Sequence, residues 1–256
     1  MDKLFYKMQA KNWNEALPLG NGFMGAMCFG GTDVDRFQLN NDSVWNGGYK
    51  NRINPSAKEK LTEIRELIRQ GKISEAEDLA NEALAAVPDC QCHYEPLCDL
   101  FFINETGKSP MYFGLAAGWN GVIYNGPEVS DYVRELDIEK GIHRVSYEYD
   151  GVRWERESFI SYPDRVMQIN SKGKGARIII ERGAFPGEMS YPDENTIMMH
   201  GRAGGDGVTY AVAVRCVKGF NGRIGRTIHI SEDSIVLVAS ETSFYEENPE
   251  NACLNA

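Results

Sequence analysis

The feature that most constrains this chain lies near its middle, where Ile142–Tyr149 and Val152–Ile160 flank Asp150-Gly151. Val145, Tyr147 and Tyr149 alternate with polar residues, and beyond the Asp-Gly pair Val152, Trp154 and Arg156 share one face. A period of two is the pattern of a strand with one covered face. A two-residue Asp-Gly link between such strands calls for positive φ at both positions, a type I′ hairpin. A chain with this unit at its centre is building antiparallel sheet.

The rest of the sequence repeats the theme. Leu4, Tyr6 and Met8 suggest a first strand, and further strands are predicted over 23–29, 36–39, 97–103, 131–138, 165–170, 176–181, 196–200, 208–217, 225–230 and 234–239. Turns are marked by Lys172-Gly173-Lys174-Gly175, by Gly204-Gly205-Asp206-Gly207 and by Ser231-Glu232-Asp233. The segment from Thr106 to Gly126, with Tyr112, Phe113, Trp119 and Tyr124, reads as a long loop. The tail from Tyr245 carries neither periodicity. Regularly spaced short strands with turn clusters between them predict a mainly β fold, a large antiparallel β-sandwich or supersandwich.

One interruption breaks the pattern at about 55–87. Asn54 is placed as an N-cap with Pro55 at the first helical position. Ala57, Leu61, Ile64, Leu67 and Ile68 then line one face, and Gly71 ends the helix. Ser74 and Glu77 are spaced as a capping box for a second helix carrying Ala76, Leu79, Ala80 and Ala83. The expectation is a short two-helix insertion in a single domain over 1–256.

Formal net charge is −10, from 37 acidic and 27 basic residues, which argues against nucleic acid and anionic membrane as partners. The N-terminal segment has no apolar h-region and no run approaches membrane-spanning length, so the sequence predicts a cytoplasmic protein. The six cysteines are scattered, and Cys90-Gln-Cys92-His93 with Cys98 lacks zinc spacing. Gly20-Asn21-Gly22 with Gly25 mimics a dinucleotide fingerprint without its βαβ context. No metal and no cofactor is expected.

The stretches ALPLGNGFMGAMCFGG and QLNNDSVWNGG, followed in order by GKISEAEDLA, YEPLCDLFF, YVRELDIEKGIHRVSYEYDGVRWERESFISYPDRV and ASETSF, resemble the N-terminal region of family 95 glycoside hydrolases. Those are inverting α-L-fucosidases and their α-L-galactosidase relatives. The resemblance implies a non-catalytic β-sandwich domain that braces an (α/α)6 catalytic barrel of the same parent polypeptide, that barrel being absent from this chain. It also implies a fucosylated or galactosylated oligosaccharide as the parent's ligand. Relatives commonly read LNED where this chain has Leu39-Asn40-Asn41-Asp42, a departure that removes one carboxylate.

No residue is assigned a catalytic role. Asp137, Glu157 and Asp164 fall in the resembling stretches, but each reads more simply as a turn residue or an ion-pair partner. The four histidines read as structural. The substrate-binding candidates are Asn40, Asn41, Asp42 and Trp45. Amide and carboxylate groups read sugar hydroxyls, and an indole covers the C–H face of a ring. The same loop also reads as an Asx-rich turn packed on Trp45, or as a brace against the barrel. A second class of function is a free-standing carbohydrate-binding sandwich with a platform drawn from Trp45, Trp119, Tyr112 and Tyr124. A third is an interaction domain with an exposed apolar patch.

Overall fold

The computed structural model describes residues 2–106, 127–183 and 187–256. The long loop and its aromatic residues Tyr112, Phe113, Trp119 and Tyr124 therefore lie outside the described residues. Among the described residues fourteen strands run in chain order: β1 Lys3–Tyr6, β2 Leu17–Gly20, β3 Met24–Cys28, β4 Val34–Asn41, β5 Cys98–Asn104, β6 Ser130–Asp137, β7 Ile142–Tyr149, β8 Val152–Ile160, β9 Val166–Lys172, β10 Ala176–Glu181, β11 Glu188–Ser190, β12 Thr196–Arg202, β13 Thr209–Ile224 and β14 Thr227–Thr242. All pair antiparallel in one sheet of order β1-β6-β7-β8-β9-β14-β10-β5-β4-β3-β2, and β13, β12 and β11 branch from β14. Asp150 and Gly151 have φ of 51° and 69°, so the central hairpin turns as its sequence demands.

The sheet curls until its halves face each other, and β14 makes the fold possible. Its first residues pair with β10, and from Asp233 onward it pairs with β9 in the other layer. Ser231-Glu232-Asp233, expected as a turn, is the crossing point of one continuous strand. The kink is taken up instead by three register shifts in the facing strand β13 between Cys216 and Arg223. There Gly219 has φ of +78°, and a Cβ would come within 2.6 Å of the Asp233 carbonyl.

Between the layers, Leu19, Ala26, Phe37, Leu39, Leu100, Phe102 and Ile178 from one half meet Met167, Ile169, Val212, Val236 and Val238 from the other. Each side chain comes from the inward-facing positions of its strand, where period-two alternation puts it. The two-helix insertion is present as α1 Ala57–Arg69 and α2 Ile73–Leu84, joined on Ile64, Ala76 and Ala83. Its caps differ from expectation. Asn54 Oδ1 accepts from the Ser56 N–H and hydroxyl one turn before the helix, and Ile73 is already helical, so Ser74 caps nothing. Strands β2 and β11 were not foreseen. Nor was α3, Pro249–Asn255, capped by Asn248 and held by buried Cys253 against the Ala211 carbonyl. Seven residues are too few to display a helical period.

Another part of the interior is polar. Asp35 and Arg156 are fully or almost fully buried and bridge β4 to β8 across the layers at 2.8 Å. Asp35 Oδ1 also accepts from the Gly30 and Gly31 N–H groups, and Arg156 donates to Asn104 Oδ1 and Ser171 Oγ. Arg134 donates to the Met8 and Glu15 carbonyls and so ties the N-terminal segment down.

Buried His143 sits in the same region. Burial pushes its imidazole from 6.5 down to about 3, and the guanidinium groups of Arg134 and Arg156 push the same way. The unfolded chain therefore takes up this proton before the folded one does. Stability held above pH 6.5 is lost as pH falls toward 3, by up to about 1.4 kcal/mol per pH unit from this group. Urea unfolding at pH 7, 6, 5 and 4 should show that slope in the wild type and a flatter one in His143→Phe. Equal slopes would mean that His143 is not buried neutral.

Candidate functional site

The site is built at one end of the sandwich by turns from distant parts of the chain. The loop after β4 is the most heavily pinned. Asn41 Oδ1 accepts from the Ser43 N–H at 3.1 Å and its hydroxyl at 2.7 Å, which is an Asx turn, while Asn41 Nδ2 donates to Ser240 Oγ at 3.2 Å. Ser43 and Thr242 share a hydroxyl–hydroxyl bond of 2.6 Å. Trp45 Nε1 donates to the Asp42 carbonyl, and Tyr94 Oη donates to the Asn41 carbonyl. The Trp45 and Tyr94 rings meet edge to face at 5.3 Å. Burial pushes the Tyr94 phenol up to about 12, with the Asp42 carboxylate adding to the shift.

Beneath the loop, Glu95 and Arg182 form a second buried ion pair at 2.7 Å. Burial alone would raise the Glu95 carboxyl. The Asn46 amide, the Gly204 N–H and Arg182 outweigh that cost and hold it below the usual carboxylate value. Gly47 N–H in turn donates to the Gly204 carbonyl at 2.6 Å. The two turns touch so closely that a Cβ on Gly204 would lie 2.0 Å from Asn46 Nδ2. A larger residue there would have to displace the Asn46 carboxamide from Glu95.

Around this loop stands a cluster of aromatic side chains. Asn21 Oδ1 accepts from the Phe23 and Met24 N–H groups, and its Nδ2 donates to the Ser161 carbonyl, fixing the β2–β3 hairpin beside the β8–β9 turn. Phe23 lies 6.1 Å from Tyr162 and 5.6 Å from Tyr245, and Tyr245 lies 4.8 Å from Phe244. Arg165 sits 4.0 Å over the Phe23 ring and 5.8 Å from the Tyr245 ring, and pairs with Glu241 at 3.7 Å. Its φ of 54° is unusual for a long side chain, and such strain persists only where the surroundings enforce it. Asp42 joins the two aromatic groups, its carbonyl taken by Trp45 and its carboxylate Oδ2 by the Tyr245 hydroxyl at 2.9 Å.

Of the four residues picked from sequence, two stand on this surface: Asp42, and Trp45 with 42 % of its surface exposed. Asn41 is buried at 2 % and spends its carboxamide inside the fold, so it shapes the loop. Asn40 opposes Gly25 in the ladder and faces the other side of β4 from Asn41. Sequence reasoning missed Phe23, Tyr94, Tyr162, Arg165 and Tyr245, whose common signal is an aromatic or Arg residue at the mouth of a turn. The acids weighed for catalysis are engaged elsewhere. Glu157 pairs with Arg144 at 2.7 Å, Asp164 accepts from the Ser161 hydroxyl, and buried Asp137 accepts from the Lys140 N–H. A surface of Trp, Tyr, Phe and Arg with few free charges has the composition of a protein-interface core, and its aromatic faces also suit a sugar.

A family model described as "Glycosyl hydrolase family 65, N-terminal domain" matches residues 4–248. The match is to family 65, which corrects the expectation of family 95. Among relatives, an "Alpha-L-fucosidase 2" of Arabidopsis thaliana is 28 % identical over 204 residues, covering 78 % of this chain and 22 % of the relative. A "Probable alpha-fucosidase A" of Aspergillus oryzae is 27 % identical over 188 residues, with 68 % and 22 % covered. Its namesake in Aspergillus niger is 31 % identical over 161 residues, with 59 % and 17 % covered. The chain thus spans about a fifth of the length of these relatives. A "Putative kojibiose phosphorylase from human microbiome" aligns at a TM-score of 0.47 and 11 % identity, covering 93 % of this chain and 32 % of that one.

Proposed function

Because the chain belongs to the family of glycosyl hydrolase family 65 N-terminal domains, we propose that it is the non-catalytic β domain of an α-L-fucosidase-type enzyme. In this reading its aromatic end packs on an (α/α)6 catalytic barrel carried by the same parent polypeptide. The Asp42–Trp45 loop then closes one side of the cleft that receives a fucosylated or galactosylated oligosaccharide. The fucosidase names of the relatives support the choice of enzyme. The observation that carries the packing role is the pinned aromatic end. Trp45 and Tyr94 are held by an Asx turn over the buried Glu95–Arg182 pair, and Phe23 and Tyr245 by Asn21, Arg165 and the Asp42 carboxylate, so little side-chain entropy remains to be lost on docking.

Inverting hydrolysis needs two carboxyl groups roughly 6.5–9.5 Å apart with a water between them. Asp137, Glu157 and Asp164 each serve a local structural bond instead. The purified 256-residue chain is therefore expected to release no fucose from a 2-linked fucosyl oligosaccharide. Turnover that co-purifies with the chain through successive columns and disappears on its immunodepletion would overturn the non-catalytic reading.

A further inference from the structure

Sheet edges that stay open invite pairing with another chain, and natural proteins blunt them. Among the described residues the sheet's open edges include β2, β11, the far half of β13 and β1. In β2 the register with β3 turns Pro18, which has no N–H, outward. Strand β11 is only three residues long, and the far half of β13 is broken by three register shifts. Strand β1, four residues long, has no proline and no bulge, and its one edge charge, Lys3, is held by Glu135. All four of its residues are exposed, Leu4, Phe5 and Tyr6 among them, with Met8, Trp13 and Ile138 also exposed nearby. Arg134 brings this patch together, stacking 4.7 Å over Tyr6 while donating to the Met8 carbonyl and to that of Glu15, two residues past Trp13.

The geometry points to a homodimer formed by antiparallel pairing of β1 with β1 of a second copy. The Ile138 N–H donates to the Asp2 carbonyl, and Leu4 and Tyr6 oppose Leu136 and Arg134. The peptide groups of Asp2, Leu4 and Tyr6 therefore face β6, and those of Lys3 and Phe5 face outward. Only registers that set outward residues against outward residues can bond. A two-fold axis at Phe5 would set Lys3 against Lys7 of the second copy, a like-charge pair.

An axis at Leu4 avoids this. Lys3 then opposes Phe5 of the second copy, Asp2 opposes Tyr6, and Leu4 meets its own copy. Lys3 does not repel the approach as a free ammonium would, because Glu135 holds it at 3.1 Å. The charges are compatible, and the occupant is an identical open edge, which two-fold symmetry supplies. Four backbone hydrogen bonds close the interface, two from each Lys3–Phe5 pair. This surface is separate from the Asp42–Trp45 end and does not depend on its role.

Sedimentation equilibrium of the full chain tests the inference. The wild type is expected to show a concentration-dependent monomer–dimer equilibrium. Phe5→Pro removes an outward N–H and leaves the β1–β6 ladder intact, so it should raise the dissociation constant at least about tenfold in a chain whose melting temperature matches the wild type's at concentrations where both are monomeric. Leu4→Lys places two ammonium groups on the axis, should give a monomer, and decides the matter if the proline variant unfolds. A wild type that stays monomeric to its solubility limit would overturn the proposal, including the case in which β1 pairs only with another part of a parent enzyme. A folded Phe5→Pro variant that dimerises as tightly as the wild type would also overturn it.

Discussion

Asp35→Ala is expected to destabilise the chain by about 3–5 kcal/mol, the usual cost of removing one partner of a buried ion pair. The carboxylate is fully buried and accepts three hydrogen bonds, two from backbone N–H groups and one from Arg156. Its loss strands the Arg156 guanidinium between the layers, with Asn104 and Ser171 as neutral partners only. Two N–H groups, those of Gly30 and Gly31, lose their acceptor at the same moment. Set against a typical total of roughly 5–15 kcal/mol, this is a large fraction. A domain of this size loses roughly 2–4 °C of Tm per kcal/mol, so calorimetry should find a drop of about 10 °C. Adding Arg156→Met should recover part of it, because the buried charge goes as well. A loss under about 1 kcal/mol would show that the β4–β8 bridge does not hold the layers together.

That bridge also marks where the sequence is readable and where it is not. Alternation correctly put Trp154 and Arg156 on the same face of β8, and the Asp-Gly hairpin turned as written. What residue type concealed was that this face is the interior, since Asp and Arg are almost never buried unless paired, and a pair from separate strands cannot be recognised along one chain. Likewise Ser231-Glu232-Asp233 has the composition of a turn yet lies within β14, because the bulges that absorb the bend sit on the facing strand.

The candidate site shows the same division. Asp42 and Trp45 were identified because their polar loop is local. Asn41 has the same chemistry but points inward, and nothing in its type says which way a strand-end amide faces. Phe23, Arg165 and Tyr245 come from three other turns, and only the curl of the sheet brings them to Asp42.

Those residues carry the second large effect. Interface energy concentrates in buried Trp, Tyr and Arg, and truncation of such an anchor costs about 2 kcal/mol or more, roughly a thirtyfold loss of affinity. Phe23 is the hub of this surface, touching Tyr162, Tyr245 and Arg165 together. Phe23→Ala also frees Arg165 and Tyr245 to move, so its effect should exceed that of the contact alone. Tyr245→Phe keeps the ring and loses only the bond to Asp42, and should cost far less. The β1 edge plays no part in this, so Phe5→Pro should dock as the wild type does.

The most direct measurement is calorimetric titration of the 256-residue chain with the separately produced catalytic domain that the proposed function assigns to its parent enzyme. The account predicts saturable one-to-one association, weakened roughly thirtyfold or more by Phe23→Ala in a chain that is still folded at the titration temperature. No association, or association indifferent to Phe23→Ala, would contradict it.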